Sequence, residues 1–355
     1  MIEPAPGTYP RRDGNRVRPL IGGREAFQRI AEAVDAARRR VWVTVAFYAD
    51  DFRLPDGRGL FDLLEAAAAR GVDVRAVFWR PNPESANYGR TYPMDAPARP
   101  GLKLRWDRAS GPYCHHQKSW VVDDIAFVGG INLTAKALER HDAYVEIEGP
   151  SATDVANNFV QRWNGASERR APDDLALPAA LAAPCGPSAV QIQRMFGDDR
   201  SILEQYERAI DAARHSIYIE NQAIPIPRIA ARLEEALKRG VEVLLLVPAE
   251  PEDHVYAARQ DPARGDLFAG LEALGRYPRF RLAGLSVYVH CKLMIVDDAW
   301  LTIGSCNLHA YSLGGHSEMN ASIWDAAVAR DLRKRLRRTH AGHMFTLSPQ
   351  RYACR

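Results

Sequence analysis

The feature that most constrains the fold of this chain is a long internal repeat. Residues 26–48 read AFQRIAEAVDAARRRVWVTVAFY, and residues 202–224 read ILEQYERAIDAARHSIYIENQAI. In both stretches, apolar residues three and four apart indicate a helix, and a β-branched and aromatic strand follows the shared AAR. Matching stretches further on, LLEAAAARGVDVRAVFW and RLEEALKRGVEVLLLVP, each predict a helix that ends at Arg-Gly and a buried strand. The repeat therefore indicates two copies of one structural plan.

The spacing of the two copies indicates whole domains. Ala36 and Ala212 are 176 positions apart, and His116 and His290 are 174 apart. Such a period is far longer than the ~20–50 residues of a solenoid repeat. Because strands and helices alternate, we expect an α/β fold made of two similar α/β domains, with mixed, mainly parallel sheets covered by helices. The two domains should be related by a pseudo-twofold axis.

The composition between the copies sets the expected domain boundaries. Residues 165–189 are rich in Ala and Pro and have little periodicity, which indicates a linker. The predicted layout is an N-terminal tail at 1–17, a first half at 18–164, the linker, a second half at 190–345 and a C-terminal tail at 346–355.

Both copies carry the same polar motif within an apolar, strand-like run. Residues 115–132 read HHQKSWVVDDIAFVGGIN, and residues 289–307 read VHCKLMIVDDAWLTIGSCN. Each copy contains His-x-Lys, four residues, Asp, then Gly-Gly or Gly-Ser, one residue and Asn. The matched residues are His116, Lys118, Asp123, Gly129, Gly130 and Asn132 in the first copy, and His290, Lys292, Asp297, Gly304, Ser305 and Asn307 in the second. His115 does not stand two places before the lysine, so it lies outside the pattern.

The motif predicts a site for a phosphate diester. Residues i and i+2 of a strand project to the same face, so each histidine shares a pocket with its lysine, and the glycine-containing turn lets the asparagine return to it. Lysines and amides can bind the non-bridging oxygens, while one imidazole attacks phosphorus and the other protonates the leaving oxygen. The symmetry of the motif leaves open which histidine is the nucleophile. The predicted catalytic residues are His116, Lys118, Asn132, His290, Lys292 and Asn307.

The remaining motif residues and two later carboxylates are expected to support these groups. Asp123 and Asp297 stand seven places after their histidines, so on a regular strand they face away and are expected to hold the turn together with the glycines and Ser305. Each histidine also needs a carboxylate to fix its tautomer. Asp142 and Glu318, which follow the two asparagines by 10 and 11 positions, are the expected partners.

One polar stretch breaks the likeness of the two copies. Glu220, Asn221 and Gln222 stand where the first copy has the apolar VTVA run at 43–46. Burying polar groups at the end of a strand is costly unless they are hydrogen-bonded. They form either a buried hydrogen-bond network or part of the substrate pocket, and the sequence leaves both interpretations open.

The doubled motif resembles that of the phospholipase D superfamily, and the resemblance extends over residues 18–343. The stretches HHQK at 115–118, HDAYVEIEGPSATDVANNFVQRW at 141–163, VQIQRMF at 190–196, IYIENQ at 217–222 and VHCKLMIVDD at 289–298 look like phospholipase D proper. The resemblance implies chemistry without a metal or other cofactor, through a covalent phosphohistidine that water or an alcohol resolves. It also implies that His116 is the nucleophile and His290 the general acid and then base. One departure is that the first turn, before Gly129, is one residue shorter than the second.

The leading functional expectation is a phospholipase D-type phosphodiesterase or transphosphatidylase that hydrolyses or exchanges the headgroups of glycerophospholipids. The alternative is a cardiolipin synthase-like phosphatidyltransferase, and a nuclease of the same superfamily is a more distant one. A net charge of +3 is too small to argue for a nucleic-acid partner. Duplex binding usually needs a basic stripe, and the one strong basic cluster in the sequence is the predicted helix at 330–343, which argues mildly against a nuclease.

The expected partners are a phospholipid at a membrane surface and water or an alcohol as acceptor. The first residues are polar and rich in proline, and no apolar run approaches the ~20 residues of a membrane span. We therefore expect no transmembrane segment and a cytoplasmic protein that can associate peripherally with membranes. One chain contains both motif copies, so a monomer suffices for a complete site.

Overall fold

The fold was determined as a computed structural model that describes residues 2–85, 88–166 and 173–354. Residues 167–172 of the predicted linker lie outside the described residues. The strands of the first half are β1 (Arg12–Ile21), β2 (Arg40–Val45), β3 (Asp73–Arg80), β4 (Leu102–Arg108), β5 (Ser119–Val122), β6 (Ile125–Gly129) and β7 (Ala143–Glu148). Those of the second half are β8 (Ser188–Met195), β9 (Ser216–Asn221), β10 (Glu242–Leu246), β11 (Phe280–Leu285), β12 (Lys292–Val296), β13 (Trp300–Gly304), β14 (Glu318–Trp324) and β15 (Met344–Thr346).

Helices cover both faces of the strands, as the alternating pattern predicts. They are α1 (Gly22–Ala36), α2 (Leu60–Ala69), α3 (Pro150–Gly165), α4 (Ser201–Ala212), α5 (Pro227–Lys238), α6 (Asp253–Gln260), α7 (Gly265–Leu274), α8 (Ala310–Gly314) and α9 (Ala326–His340). Each half has its own core under its outer helices, around Phe27 in the first and Leu233 in the second. A third core, which includes Phe159 of α3 and Leu332 of α9, joins the two halves. Among the helices of the described residues, none has the length and apolar character to cross a bilayer.

The strand order repeats in the two halves, which confirms their pseudo-twofold relation. The described strands form one sheet in the order β15-β11-β10-β9-β12-β13-β14-β8-β1-β7-β6-β5-β2-β3-β4. Read outwards from the central β8–β1 pair, equivalent strands follow one another on the two sides. The first half gives β1, β7, β6, β5, β2, β3 and β4, and the second gives β8, β14, β13, β12, β9, β10 and β11, after which β15 is added. The two halves are therefore edge to edge in one continuous sheet.

The expected α/β fold with mixed, helix-covered sheets is confirmed, but the proportion of parallel pairing differs from the expectation. Within the described residues, the four ladders β2–β3, β3–β4, β9–β10 and β10–β11 are parallel, and ten others are antiparallel. Each motif copy contributes one of the antiparallel ladders, β5–β6 in the first half and β12–β13 in the second. Its two strands are joined by turns of two or three residues, which connect antiparallel but not parallel strands.

The ends of the halves are more ordered than the predicted tails. β1 begins at Arg12, inside the expected tail of residues 1–17, and it pairs with β7 and β8. The residues before it pack on the second half, where Ala5 N donates to Gln205 Oε1 at 2.8 Å and Trp324 Nε1 donates to Ile2 O at 2.7 Å. At the other end, β15 extends past residue 345. The first residues of the chain thus help to join the halves.

Candidate active site

Each motif copy folds as a hairpin that points its polar end toward the junction of the halves. The first hairpin is β5–β6, whose Val122–Ile125 pair leaves a two-residue turn. The second is β12–β13, whose Val296–Trp300 pair leaves a three-residue turn. The shorter spacing before Gly129 is thus absorbed in the turn at the far end of the hairpin, so the polar ends of the two copies keep the same form.

The two histidines are held crosswise by carboxylates of the opposite halves. His116 Nδ1 lies 2.8 Å from Glu318 Oε2, and His290 Nδ1 lies 2.6 Å from Asp142 Oδ2. All four side chains are buried. Because each carboxylate accepts a hydrogen bond from Nδ1–H, Nε2 of each ring keeps its lone pair free for reaction. The two expected carboxylates are thus beside the histidines, each at the histidine of the other motif copy.

Backbone hydrogen bonds across the junction fix this crossed arrangement. His116 N donates to Ser317 O at 2.9 Å, and Ser317 N donates to Cys114 O at 3.1 Å. The equivalent bonds of the other half join His290 N to His141 O at 2.8 Å and His141 N to Tyr288 O at 3.0 Å. Each histidine segment is therefore clamped to the segment that carries its carboxylate.

The hydrogen bonds to the two carboxylates differ. Glu318 accepts from the Ser305 hydroxyl on Oε2 at 2.5 Å and from the Ser312 hydroxyl on Oε1 at 2.5 Å. Asp142 accepts at Oδ1 from the Ala143 N–H at 2.8 Å. Burial is the largest influence on Glu318 and raises its pKa. In the second motif copy, Ser305 stands at the position that Gly130 has in the first. Its hydroxyl thus donates to the carboxylate that holds His116.

Both lysines of the motif are buried beside their histidines. Lys118 Nζ donates to His116 O at 2.7 Å, and Lys292 Nζ donates to His290 O and, at 3.1 Å, to Gln222 Oε1. Burial lowers the pKa of Lys118 to about 7, and burial also lowers the pKa of Lys292. Neither lysine has a carboxylate ion pair among the described residues, and a buried amino group is costly to charge without one, so a phosphate anion between them would be strongly favoured.

Burial and the lysine charges also lower the pKa values of the two histidines. Burial, and then the charges of Lys118 and Lys292, holds the pKa of His116 well below its usual value. Burial and Lys292 lower the pKa of His290 to about 3, against the opposing effect of Asp142. Both imidazoles are therefore neutral at pH 7 when no anion is bound.

The asparagines return to the same region through close-packed turns. The side-chain Oδ1 atoms of Asn132 and Asn307 are buried and have no hydrogen-bond partner among the described residues. Asn132 lines a small cavity together with His290 and Asp142. A Cβ on Gly130 would lie 2.5 Å from Asp142 Oδ1, and one on Gly304 would lie 2.1 Å from Asn320 Oδ1. Glycine is thus needed at these two turns for the close approach.

The aspartates of the motif lie at the opposite ends of the hairpins. Asp123 accepts from the backbone N–H groups of residues 38–40 at 2.9–3.0 Å, and Asp297 accepts from those of residues 214–216 at 2.8–2.9 Å. Both have positive φ, 51° and 53°, a conformation that aspartate tolerates better than most residues. Each aspartate ties its hairpin turn to the preceding helix–strand connection, away from the histidines.

The three polar residues at the end of β9 differ in their contacts, so neither a buried hydrogen-bond network nor a substrate pocket describes all of them. Glu220 is fully buried and accepts from the ring of His141 at 2.7 Å, so it belongs to a buried network. Asn221 accepts from Leu308 N at 3.1 Å, which fixes the residue after Asn307. Gln222 contacts Lys292 directly. Among the described residues, Gln222 is thus the member of this stretch whose side chain hydrogen-bonds a motif lysine.

A cluster of His141, Glu220 and His340 has the residue types of a metal site, and its ligand atoms lie within 4.8 Å of one another. These atoms hydrogen-bond among themselves, since Glu220 holds His141 and His340 Nε2 lies 3.3 Å from His141 Nε2. Tyr218 donates its hydroxyl to Glu220. The cluster is therefore satisfied as a hydrogen-bond network next to Asp142.

Known proteins share both the sequence and the fold of this chain. Residues 30–163 and 206–340 match the family described as "Cardiolipin synthase, PLD-like domain". Cardiolipin synthase B of Salmonella typhimurium is 26% identical over 359 residues, which covers 92% of this chain and 80% of that protein. Cardiolipin synthase A of Pseudomonas putida strain GB-1 is 28% identical over 338 residues, covering 89% of this chain and 66% of that protein. The crystal structure of phosphatidylserine synthase from Haemophilus influenzae Rd KW20 shares the fold, with a TM-score of 0.70 and 14% identity over 98% of this chain and 91% of that one.

The chain belongs to the phospholipase D superfamily. The resemblance that the doubled motif indicates is thus confirmed, and the matched family covers both motif copies.

Two residues of this phospholipase D-type site are absent from the expected set. His316 lies beside His116, with ring centres 5.7 Å apart, and Arg140 lines the small cavity at His290. Arg140 also stacks on Tyr288, 4.5 Å from the ring centre. Each stands two places before an orienting carboxylate, and that shared position in the repeat is the sequence signal that could have revealed them.

His115 lies outside the site, as its position before the motif predicts. Its Nδ1 is 2.8 Å from Asp107 Oδ2 and 2.9 Å from Arg162 Nη2, and its side chain is fully buried. His115, the neighbour of His116 in the chain, thus belongs to a separate buried ion-pair network.

Proposed function

We propose that this protein is a phosphatidyltransferase of the cardiolipin synthase type, which moves a phosphatidyl group from one phospholipid to a hydroxyl group of another lipid. The matched family and the curated relatives carry the name cardiolipin synthase, and their similarity extends over about nine-tenths of the chain. They favour this alternative over the headgroup hydrolysis that the sequence places first. The expected membrane-surface phospholipid is then both donor and acceptor.

The observation that carries the proposal is the crossed pair of histidines. Two imidazoles, each with Nδ1 held by a buried carboxylate, stand in one site with two buried lysines. This arrangement provides two free Nε2 atoms and two cations, which a double displacement at a phosphodiester requires. One chain supplies all these groups, so the reaction needs no second copy.

In the first step, His116 Nε2 attacks phosphorus. The P–N bond forms as the P–O bond to the leaving alcohol breaks, and His290 gives its proton to that oxygen. The product is a phosphatidyl group on His116 and a free headgroup alcohol. Glu318 stabilises the positive charge that His116 acquires.

In the second step, the hydroxyl of the acceptor lipid attacks the same phosphorus. His290 takes the hydroxyl proton as the new P–O bond forms, and the P–N bond to His116 breaks. The new diester leaves, and both histidines return to their starting state. Water in place of the lipid alcohol would give phosphatidate by the same steps.

The low pKa of His290 fits this cycle only when the anionic substrate is present. A bound phosphodiester places a negative charge near the ring and raises the pKa of His290, which favours the protonated acid. Asp142 favours the same protonated form. Binding of the donor lipid thus creates the acid that its own cleavage requires.

We assign Arg140 to the phosphate of the acceptor lipid. Its guanidinium lines the cavity at His290, and the side chain is about a quarter exposed. A second phospholipid carries its own phosphate, whereas water does not. A fixed cation beside the base therefore favours a lipid acceptor over water.

Product analysis tests the proposal. Purified protein is incubated with phosphatidylglycerol vesicles, and lipids and released glycerol are quantified by mass spectrometry. We expect cardiolipin and glycerol as the main products, and their loss in His116→Ala but not in the control His254→Ala, which changes an exposed histidine. Phosphatidate as the main product, with no cardiolipin, would contradict the proposed transfer and restore hydrolysis.

A further inference from the structure

A second cavity, of about 510 Å³, lies away from His116 and His290 on a face of the second half of the sheet. Its walls are the beginnings of β9, β10 and β11 and the end of α9. Lys292 pairs with Asn221 at the other end of β9, whereas the cavity is lined by residues 216–218. The cavity is therefore separate from the catalytic groups.

Positive charge dominates the walls of this cavity. Arg279, Arg281, Arg333 and Arg337 line it, and Glu242 is the one carboxylate in its described lining. Glu242 lies 3.9 Å from Arg279, and both side chains are more than half exposed, so the pair is weak. Within the described part of the chain, the side chains of Arg281 and Arg337 make no ion pair or hydrogen bond.

Arg333 is the least exposed member of this group. Its side chain is 12% exposed and its guanidinium lies 4.4 Å from the ring centre of Tyr218. Its Nε and Nη1 atoms are buried and have no hydrogen-bond partner among the described residues, and Asp298 is 3.9 Å away. A guanidinium with unused buried donors is costly unless an anion accepts from it.

The equivalent face of the first half is filled and neutralised by the protein itself. One row of paired residues crosses the parallel strands in each half. In the first half the row across β2, β3 and β4 is Trp42, Arg75 and Lys103. In the second half the equivalent row across β9, β10 and β11 is Tyr218, Leu244 and Arg281. In the first half, Asp73 accepts from Arg75 at 2.8 Å and from Lys103 at 2.9 Å.

The linker completes the neutralisation of the first half. Asp173 accepts from Arg105 at 2.9 Å, and the Arg105 guanidinium lies 4.4 Å from the ring centre of Trp163. Trp163 stands near the end of α3, where the second half has His340 near the end of α9. In the second half no described carboxylate covers the arginines in this way, and a cavity remains.

We propose that this cavity is an accessory binding site for a phosphate group, separate from the catalytic histidines. Its four guanidinium groups suit a phosphate, because planar N–H forks bind phosphate oxygens in pairs. The phosphate would occupy the place that Asp173 and Trp163 occupy in the first half. A free phosphate and the headgroup of an anionic phospholipid offer the same chemistry.

Site-resolved protection of arginines tests the proposal on the unaltered protein. The chain is treated with phenylglyoxal, and modification of each arginine is quantified by peptide mass spectrometry. Inorganic phosphate at ten times its Kd should slow the modification of Arg279, Arg281 and Arg337 about tenfold. Arg276 and Arg338, exposed nearby but outside the lining, should be unaffected. Equal protection of all five, or the same effect from chloride at matched ionic strength, would overturn the site.

A parallel arm distinguishes the source of the phosphate. Vesicles of phosphatidylcholine with phosphatidylglycerol are compared with vesicles of phosphatidylcholine alone. Protection by the phosphatidylglycerol vesicles but not by inorganic phosphate identifies a lipid headgroup, and the reverse identifies a free phosphate. Absence of protection in both arms refutes the proposal.

A matched pair of variants gives an independent measurement. Arg279→Gln/Arg281→Gln/Arg337→Gln removes three charges from the cavity, and Arg276→Gln/Arg330→Gln/Arg338→Gln removes three exposed charges elsewhere. In equilibrium dialysis with inorganic phosphate, the cavity variant should bind one phosphate fewer per chain than the control variant. Equal stoichiometry in two folded variants would contradict the proposal, and the protection experiment decides if the cavity variant does not fold.

Discussion

The two half-sites share one framework but differ in the group beside each carboxylate. In each, a buried histidine is held through Nδ1 by a carboxylate of the other half. His316 stands two places before Glu318 in the chain, and its ring lies next to that of His116. Arg140 stands two places before Asp142 and lies next to His290. One half-site thus has a neutral, titratable neighbour and the other a permanent cation.

This difference shows how a duplicated site can perform an asymmetric reaction. The motif residues are equivalent, so by themselves they cannot separate nucleophile from acid. Each histidine has its motif lysine beside it. Arg140 adds a permanent cation near His290, which favours an incoming anionic acceptor on that side, whereas the equivalent position near His116 carries the imidazole of His316. The residues around the motif, more than the motif, therefore carry the division of labour that we propose.

The largest effect should come from breaking either crossed pair. Glu318→Gln and Asp142→Asn should each lower kcat on the order of 10²-fold or more, because the imidazole loses the carboxylate that orients it and stabilises its charge. The control is Glu139→Gln, an exposed carboxylate close in sequence to Asp142. The measurement is the kcat of phosphatidyl transfer over a range of pH, together with urea unfolding.

A purely structural role for these carboxylates predicts a different result. It would lower the free energy of unfolding and leave the pH profile of kcat in the folded fraction unchanged. An unchanged profile with near-normal kcat in either variant would contradict the orienting role.

A smaller effect should separate the two neighbours. Arg140→Gln should raise the KM for the acceptor lipid about tenfold, the ~1.4 kcal/mol of one charge-assisted contact, and should increase the fraction of phosphatidate. His316→Gln should leave the acceptor KM nearly unchanged. Steady-state kinetics with a fixed donor and a varied acceptor measure both values. Equal changes in the two variants would remove the proposed asymmetry.

The smallest effect concerns stability in acid. Burial lowers the pKa of His316 to about 3 from its usual 6.5. Between about pH 6.5 and pH 3 the unfolded chain therefore binds a proton here that the folded chain does not, so the free energy of unfolding falls as the pH falls. His316→Gln should reduce this slope by up to about 1.4 kcal/mol per pH unit, and Arg140→Gln should not change it. Urea unfolding at several pH values between 6.5 and 4 provides the test, and an unchanged slope in His316→Gln would show that the ring is not kept neutral by burial.

Much of the fold and the motif could be predicted from the sequence because they repeat. Two copies with the same spacing identify the α/β plan, and the i, i+2 spacing places each histidine with its lysine. The aspartates at odd spacing lie at the far turns, where Asp123 and Asp297 bind backbone N–H groups. These features depend on local geometry, which residue order reports directly.

What could not be predicted depends on contacts between the halves. The sequence indicates Asp142 and Glu318 as orienting groups but does not assign either one to a histidine, because the crossed pairing exists only when the two segments meet. The continuous sheet likewise follows from the pairing of β1 with β8, which is a contact between the halves. Arg140 and His316 differ in chemistry, so a comparison of identical residues passes over them.

The proposed division of roles, with His116 as nucleophile and His290 as acid and base, is tested most directly by locating the covalent intermediate. His290→Ala removes the proposed acid and base, so the phosphatidyl group should accumulate on the nucleophile after incubation with a donor that carries a good leaving group. The protein is digested at neutral pH and the acid-labile adduct is mapped by mass spectrometry. We predict one adduct per chain on His116, and none in His116→Ala. An adduct on His290 in His116→Ala, with none on His116 in His290→Ala, would contradict the account.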